Sequence, residues 1–228
     1  GLLLLVWIFT TGLASVKQPH MNPVVEPGDH VVIDRLAFGL QLPLIGVRIG
    51  GSGIPRGERV AVLDPEGSGR LLLRRVFAVA GDRVSFGPPA GPARIRQPML
   101  GLKGNPPQPV VWGQWPGPCV YALAAKQRSK SANYARCRAF VESAGRKSYR
   151  VSYPRYGEPP GGGKVWEGKV PADKVYLLAD NRGGKDSRVW GPVSARRIKG
   201  RPAVVLWSHD PLEGIRWHRF GKGLTDAP

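Results

Sequence analysis

Glycine and proline set the grain of this 228-residue chain: 31 Gly and 23 Pro recur without a short period and leave little room for long helices. Between these breaks lie strand-length runs rich in β-branched and aromatic residues. His30 to Phe38 is bounded by Pro27-Gly28 before it and Gly39 after it. Similar runs fall at Arg59 to Leu63, Leu71 to Val79, Pro109 to Trp112, Val120 to Ala124, Tyr149 to Tyr153, Lys174 to Leu178 and Ala203 to Trp207. Many short strands without intervening long amphipathic helices predict a mainly β chain of antiparallel architecture. The helical candidate is Ser131 to Ala144, where Tyr134, Cys137 or Arg138, and Val141 recur at helical spacing.

With 42% apolar residues the chain can build a substantial core as one large or two small domains. Two Pro/Gly-rich stretches, Gly87 to Gln108 and Tyr153 to Gly163, cannot sustain a core strand. They suggest a smaller subdomain over 87–170, inserted into a core formed by 17–86 and 171–220, with 221–228 as a C-terminal tail. The opening residues, Gly1 to Val16, carry no charge and suit hydrocarbon, but are shorter than the roughly 20 residues that span a bilayer. They read as the end of an N-terminal transmembrane helix covering 1–16. A cleaved secretory signal and a buried globular helix are the rival readings.

The formal net charge of +18 calls for an anionic partner, either nucleic acid or membrane head groups. No basic recognition helix interleaved with stacking aromatics is evident, so no nucleic acid partner is expected and anionic lipid of a membrane is. Cys119 and Cys137 are too far apart for a Cys-x-x-Cys motif. They are a disulfide candidate if the domain is exported, and two separate thiols otherwise. His20, His30, His209 and His218 lack metal-ligand spacing on any predictable element, so neither a metal nor another cofactor is expected.

Four segments carry a more specific signal. The first is Gln18-Pro19-His20-Met21-Asn22-Pro23-Val24-Val25-Glu26-Pro27-Gly28-Asp29. The second is Ile54-Pro55-Arg56-Gly57-Glu58-Arg59-Val60-Ala61-Val62, a turn leading into a strand. The third, Leu71 to Val84, contains Arg74-Arg75-Val76 and Gly81-Asp82-Arg83-Val84. The fourth, Ala179-Asp180-Asn181-Arg182-Gly183-Gly184-Lys185-Asp186-Ser187-Arg188-Val189-Trp190-Gly191, mixes so many residue types that chance agreement is negligible. In this order and register they resemble the conserved segments of the type I signal peptidase family, over about Gln18 to Ser208. The resemblance implies a membrane-tethered antiparallel β barrel or sandwich with an inserted subdomain.

It also implies a set of catalytic positions, and each is altered here. The family's serine nucleophile falls on His20 and its general-base lysine on Arg74. A guanidinium holds its proton throughout the accessible pH range, so Arg74 cannot take one from a hydroxyl. The family's side-chain oxyanion donor, two residues before the nucleophile, falls on Gln18. Its further serine, which supports the lysine, falls in a loop shortened by one residue that reads Gly184-Lys185 here. Relocated chemistry would need Lys185 as base with Ser15 or Ser187 as nucleophile. Asp180, Arg182, Asp186 and Arg188 persist and are expected to fix their loop as a network of opposite charges.

The expected function is therefore a catalytically degenerate, membrane-anchored binding, assembly or structural subunit of a membrane complex. The soluble domain would lie on the periplasmic face of a bacterial inner membrane. Its partner would be another membrane or exported protein, and His20, Met21 and Pro23 would line a retained peptide groove. An active signal peptidase with altered chemistry is the first alternative, and a basic nucleic-acid-binding protein the second.

Overall fold

A computed structural model describes residues 10–22, 24–41, 48–51, 53–87, 99–103, 137–144, 147–154, 166–211 and 213–224. Its strands in chain order are β1 (Thr11–Ser15), β2 (Asp29–Asp34), β3 (Leu40–Gln41), β4 (Arg48–Ile49), β5 (Arg59–Leu63), β6 (Leu71–Val79), β7 (Arg83–Gly87) and β8 (Met99–Lys103). There follow β9 (Cys137–Ala144), β10 (Lys147–Pro154), β11 (Gly168–Lys169), β12 (Lys174–Leu178), β13 (Val193–Ser194), β14 (Ile198–Asp210) and β15 (Gly214–Ile215). Among the described residues a short α-helix, α1 (Ser187–Trp190), starts on Asp186, whose side chain accepts the Arg188 amide. The chain is mainly β, and all these strand pairings are antiparallel.

The main sheet runs β1-β2-β14-β5-β6-β12-β13, with β15 paired to β14. Ala14 of β1 and Leu73 of β6 share one hydrophobic cluster although three strands separate theirs in the sheet, so the sheet curls over itself. That cluster also holds Met21, Val25, Val31, Ile33, Ala61, Val205 and Leu224. A second cluster gathers Phe38, Val60, Val62, Val76, Leu177 and Ile198. β5 thus sends Ala61 to one cluster and its neighbours Val60 and Val62 to the other. This is why its sequence is a continuous apolar run rather than an alternating one.

Two expectations are corrected. Thr11–Ser15, read as the end of a membrane helix, is strand β1, with Thr11 opposite Asp34 and Ser15 opposite His30. β2 exposes an edge there, and a chain returning along it satisfies the backbone groups of both. Residues 1–9 lie outside the described set, and no helix among the described residues is long and apolar enough to cross a membrane. Within Ser131 to Ala144, read as a helix, Cys137–Ala144 is strand β9. It pairs with β10 over its full length, from Cys137 opposite Pro154 to Ala144 opposite Lys147. The strands expected at 109–112 and 120–124, together with Cys119, fall outside the described residues, so the proposed disulfide does too.

Candidate functional site

The connection from β1 to β2 contains a single 3-10 turn, Pro19–Met21. Proline suits the first position of such a turn, where its missing N–H would have had no partner. The amides of Val24 and Val25 both return to the Met21 carbonyl at 3.1 Å. Met21 and Val25, at 1% and 0% exposure, drop into the first core cluster. His20, just ahead of Met21, is half-buried and reaches Arg74 instead.

Arg74 lies inside β6 and is fully buried. Its Nε and one terminal nitrogen converge on the Lys185 carbonyl at 3.0 and 2.7 Å. The other terminal nitrogen donates to the Leu73 carbonyl at 2.6 Å. The nitrogen facing Lys185 also lies 2.8 Å from His20 Nδ1. The guanidinium carbon sits 5.3 Å from the Trp190 ring centroid.

Guanidinium groups only donate, so His20 Nδ1 must present a lone pair and the ring proton must sit on Nε2. The imidazole is therefore neutral. Burial, reinforced by the Arg74 charge, lowers its pKa to about 4, against a weaker upward pull from Asp186. Burial also draws Arg74 down to about 10, which leaves it cationic at neutral pH.

The third wall is the loop after β12. Asn181 donates its amide N–H to the His20 carbonyl at 2.9 Å and its side-chain Nδ2 to the Pro19 carbonyl at 3.0 Å. A Cβ at Gly184 would fall 2.8 Å from His20 Cδ2 and 3.0 Å from Ala179 Cβ. The imidazole thus occupies the space that a side chain at 184 would need.

The remaining positions singled out from the sequence are dispersed. Gln18 is exposed and makes no side-chain cap to the turn it precedes. Lys185 contributes its carbonyl to the site, while its half-exposed ammonium pairs with Glu66. Ser187 Oγ is buried and accepts the Leu177 amide at 2.9 Å; Ser15 is exposed on β1. Pro23 lies outside the described residues.

Of the four charged residues of the fourth segment, Asp186 and Arg188 pair with each other, while Asp180 and Arg182 go to partners outside the segment. Arg75 grips Asp180 with two 2.7 Å bonds, and Arg59, its cross-strand neighbour, adds a second cation at 3.8 Å. Arg182 pairs with Glu142 of β9 and donates to the Ala179 carbonyl at 2.7 Å. Asp186 pairs with Arg188 at 2.8 Å and accepts the Ala179 amide at 2.9 Å. Burial would raise the Asp186 carboxyl, but Arg188 and these donors hold it below the usual range. Among the described residues no three His, Cys, Asp or Glu side chains are grouped to hold a metal ion.

Sequence reasoning missed the clamp on the other flank of the turn. Asp29 accepts from Arg219 at 2.6 and 2.8 Å and from Ser208 at 2.6 Å, and Glu26 pairs with both Arg219 and Arg216. Burial pushes the Asp29 carboxyl up, and the Arg219 and Ser208 bonds outweigh it, so its pKa is lowered. Gly28, at φ 92°, fits here because a Cβ would lie 2.0 Å from the His209 carbonyl. Arg216 and Arg219 lie beyond the matched segments, and nothing in their local sequence marked them.

The sequence model described as "Signal peptidase, peptidase S26" matches residues 1–91 and 120–207. The chain belongs to the signal peptidase S26 family. Signal peptidase I of Pseudomonas aeruginosa is 22% identical over 209 residues, 86% of this chain and 64% of that protein. This family member therefore spans just under two thirds of that relative. Signal peptidase I of Helicobacter pylori strain J99 is 22% identical over 258 residues, covering 98% of this chain and 89% of the relative. A crystal structure of a signal peptidase I from Enterococcus faecalis aligns with 66% of this chain and 97% of its own at 17% identity. Its TM-score is 0.32, too low to carry structural detail.

Proposed function

We propose that this signal peptidase family member does not cut peptides and serves as a binding or assembly subunit at the outer face of a bacterial cytoplasmic membrane. The observation that carries this reading is the 2.8 Å contact between Arg74 and His20 Nδ1. The family resemblance places nucleophile and base at these two positions. In this chain the Nδ1 lone pair is occupied by a donor, Nε2 carries the proton, and Arg74 keeps its own proton at neutral pH. Neither residue has the free lone pair that nucleophilic attack or proton abstraction requires. Lys185 and Ser187 are engaged elsewhere, which counts against relocated chemistry.

The membrane part of the proposal draws on the uncharged opening segment and the +18 net charge, and the partner on this reading is another membrane or exported protein. The test of chemistry is incubation of the purified full chain with a preprotein in lipid vesicles. The expected result is no mature product above the protein-free control. The second reading, an active signal peptidase, is favoured by the names of the relatives. Mature product that disappears in His20→Ala or Lys185→Ala variants would establish it.

A further inference from the structure

The His20 imidazole uses only one of its two nitrogens inside the protein. Nδ1 faces Arg74, whereas Nε2 has no hydrogen-bond partner among the described residues and, unlike Trp190 Nε1, is not sealed from solvent. The half-buried ring therefore turns one N–H outward. Donation by Arg74 into Nδ1 polarises the ring and strengthens that N–H as a donor. What the ring lost as a base it keeps as a donor.

The charge behind the ring is unmatched. Arg74 donates to the Lys185 and Leu73 carbonyls and to His20, and no carboxylate among the described residues bonds to it. Asp186, Asp64 and Asp180 lie near enough to act on its charge, and each is engaged elsewhere. Asp186 pairs with Arg188, Asp180 with Arg75, and Asp64 accepts from Ser68 and from the Glu66 amide. Lys185 and Glu66 cancel each other. A buried cation with only neutral partners is stabilised by an anion that comes close.

The neighbouring backbone offers a seat for a peptide. β5 covers one edge of β6 from Leu71 to Arg75, but on the other edge β12 begins only at Arg75. The Asp64 amide bonds to the Arg70 carbonyl and the Val76 amide to the Glu58 carbonyl, so Leu72 and Arg74, in alternation between them, turn their backbone groups toward β5. Leu71 and Leu73 then turn theirs outward, where no strand among the described residues meets them. The Leu73 carbonyl already receives the Arg74 guanidinium, so this edge runs into the site.

We propose that the site holds the free C-terminal carboxylate of an extended peptide, which adds to the outward edge of β6 while His20 Nε2 donates to its carboxylate in the field of Arg74. This rests on the non-cutting reading above and names the ligand class of that site. The test titrates the isotope-labelled full chain at neutral pH with an N-acetylated hexapeptide of alternating serine and alanine, as the free acid and as the C-terminal amide. The Asn181 amide, bonded to the His20 carbonyl, reports binding in every variant.

The acid should bind about tenfold more tightly than the amide, the difference between a charge-assisted and a neutral hydrogen bond. His20→Phe should abolish that preference. His20→Gln should retain it, since glutamine accepts from Arg74 with its oxygen while its NH2 donates outward. Equal binding of acid and amide, binding of neither, or a preference that survives His20→Phe overturns the proposal. Sodium acetate that displaces the acid peptide at equal concentration overturns the peptide seat and leaves a bare anion site. Conversion of a preprotein to mature product by the same preparation overturns the non-cutting reading, whichever hexapeptide is preferred.

Discussion

His20 is held neutral by its neighbours, and that has a measurable cost. The unfolded imidazole takes its proton near 6.5, and the folded one not until about 4. The unfolded chain therefore binds more protons in that window, and stability falls as pH drops through it, while above 6.5 both forms are neutral. The loss should be on the order of 2 kcal/mol at pH 4, below the full value of about 1.36 kcal/mol per unit because the ring is partly exposed. His20→Gln should flatten this part of the profile in denaturant titrations between pH 6.5 and 4, and an unchanged slope would remove the argument. Gly184 is the complementary half of the contact. Gly184→Ser should destabilise by about 1–3 kcal/mol through overpacking. Much of that should be recovered in the His20→Ala, Gly184→Ser double variant, which a double-mutant cycle would read as coupling.

At the level of elements, the turn bearing His20 is set between two charged clamps, and breaking either should be costly. Arg219→Ala leaves Asp29 buried without its main partner and should cost about 3–5 kcal/mol in guanidinium unfolding. Arg219→Ala combined with Asp29→Asn should cost less than Arg219→Ala alone. The sequence displayed the central strands well, since β5, β6 and β12 are largely apolar, broken in β6 only by Arg74 and Arg75, and their limits match those read from Gly/Pro punctuation. It misled where apolar content was ambiguous. Thr11–Ser15 looked like hydrocarbon-soluble helix because composition cannot show that β2 has an edge to be filled. Cys137–Ala144 looked helical because a three- to four-residue recurrence over so short a stretch also fits a strand whose partner, β10, lies just downstream. At the site, His20 and Arg74 were legible from motif register. The packing of Gly184 against His20 was not, since glycine leaves no chemical mark of what fills its space.

For the whole molecule, the non-cutting reading proposed above predicts that gaining chemistry requires changing the site as a unit. His20→Ser with Arg74→Lys leaves Gly184 beside the void of the lost imidazole. The triple variant with Gly184→Ser is the combination expected to yield cleavage of a preprotein, with the double variant well below it. A second molecular dependence lies at the far end of the chain. Leu224 donates its amide to the Ala203 carbonyl at 2.8 Å, and Val205 donates to the Lys222 carbonyl at 2.9 Å. The Leu224 side chain belongs to the same cluster as Met21 and Val25, and Arg59 donates to its carbonyl. Ending the chain after Phe220 should cost about 2–5 kcal/mol, as for loss of a buried leucine, and lower the thermal midpoint. Because β2 pairs with β14 and the floor beneath the His20 turn is finished by Leu224, a chain delivered from its N-terminus carries this turn unsupported until both have followed. The His20 turn is therefore a late-setting part of the fold, whose final form reports the arrival of β14 and Leu224 rather than of its own sequence neighbours.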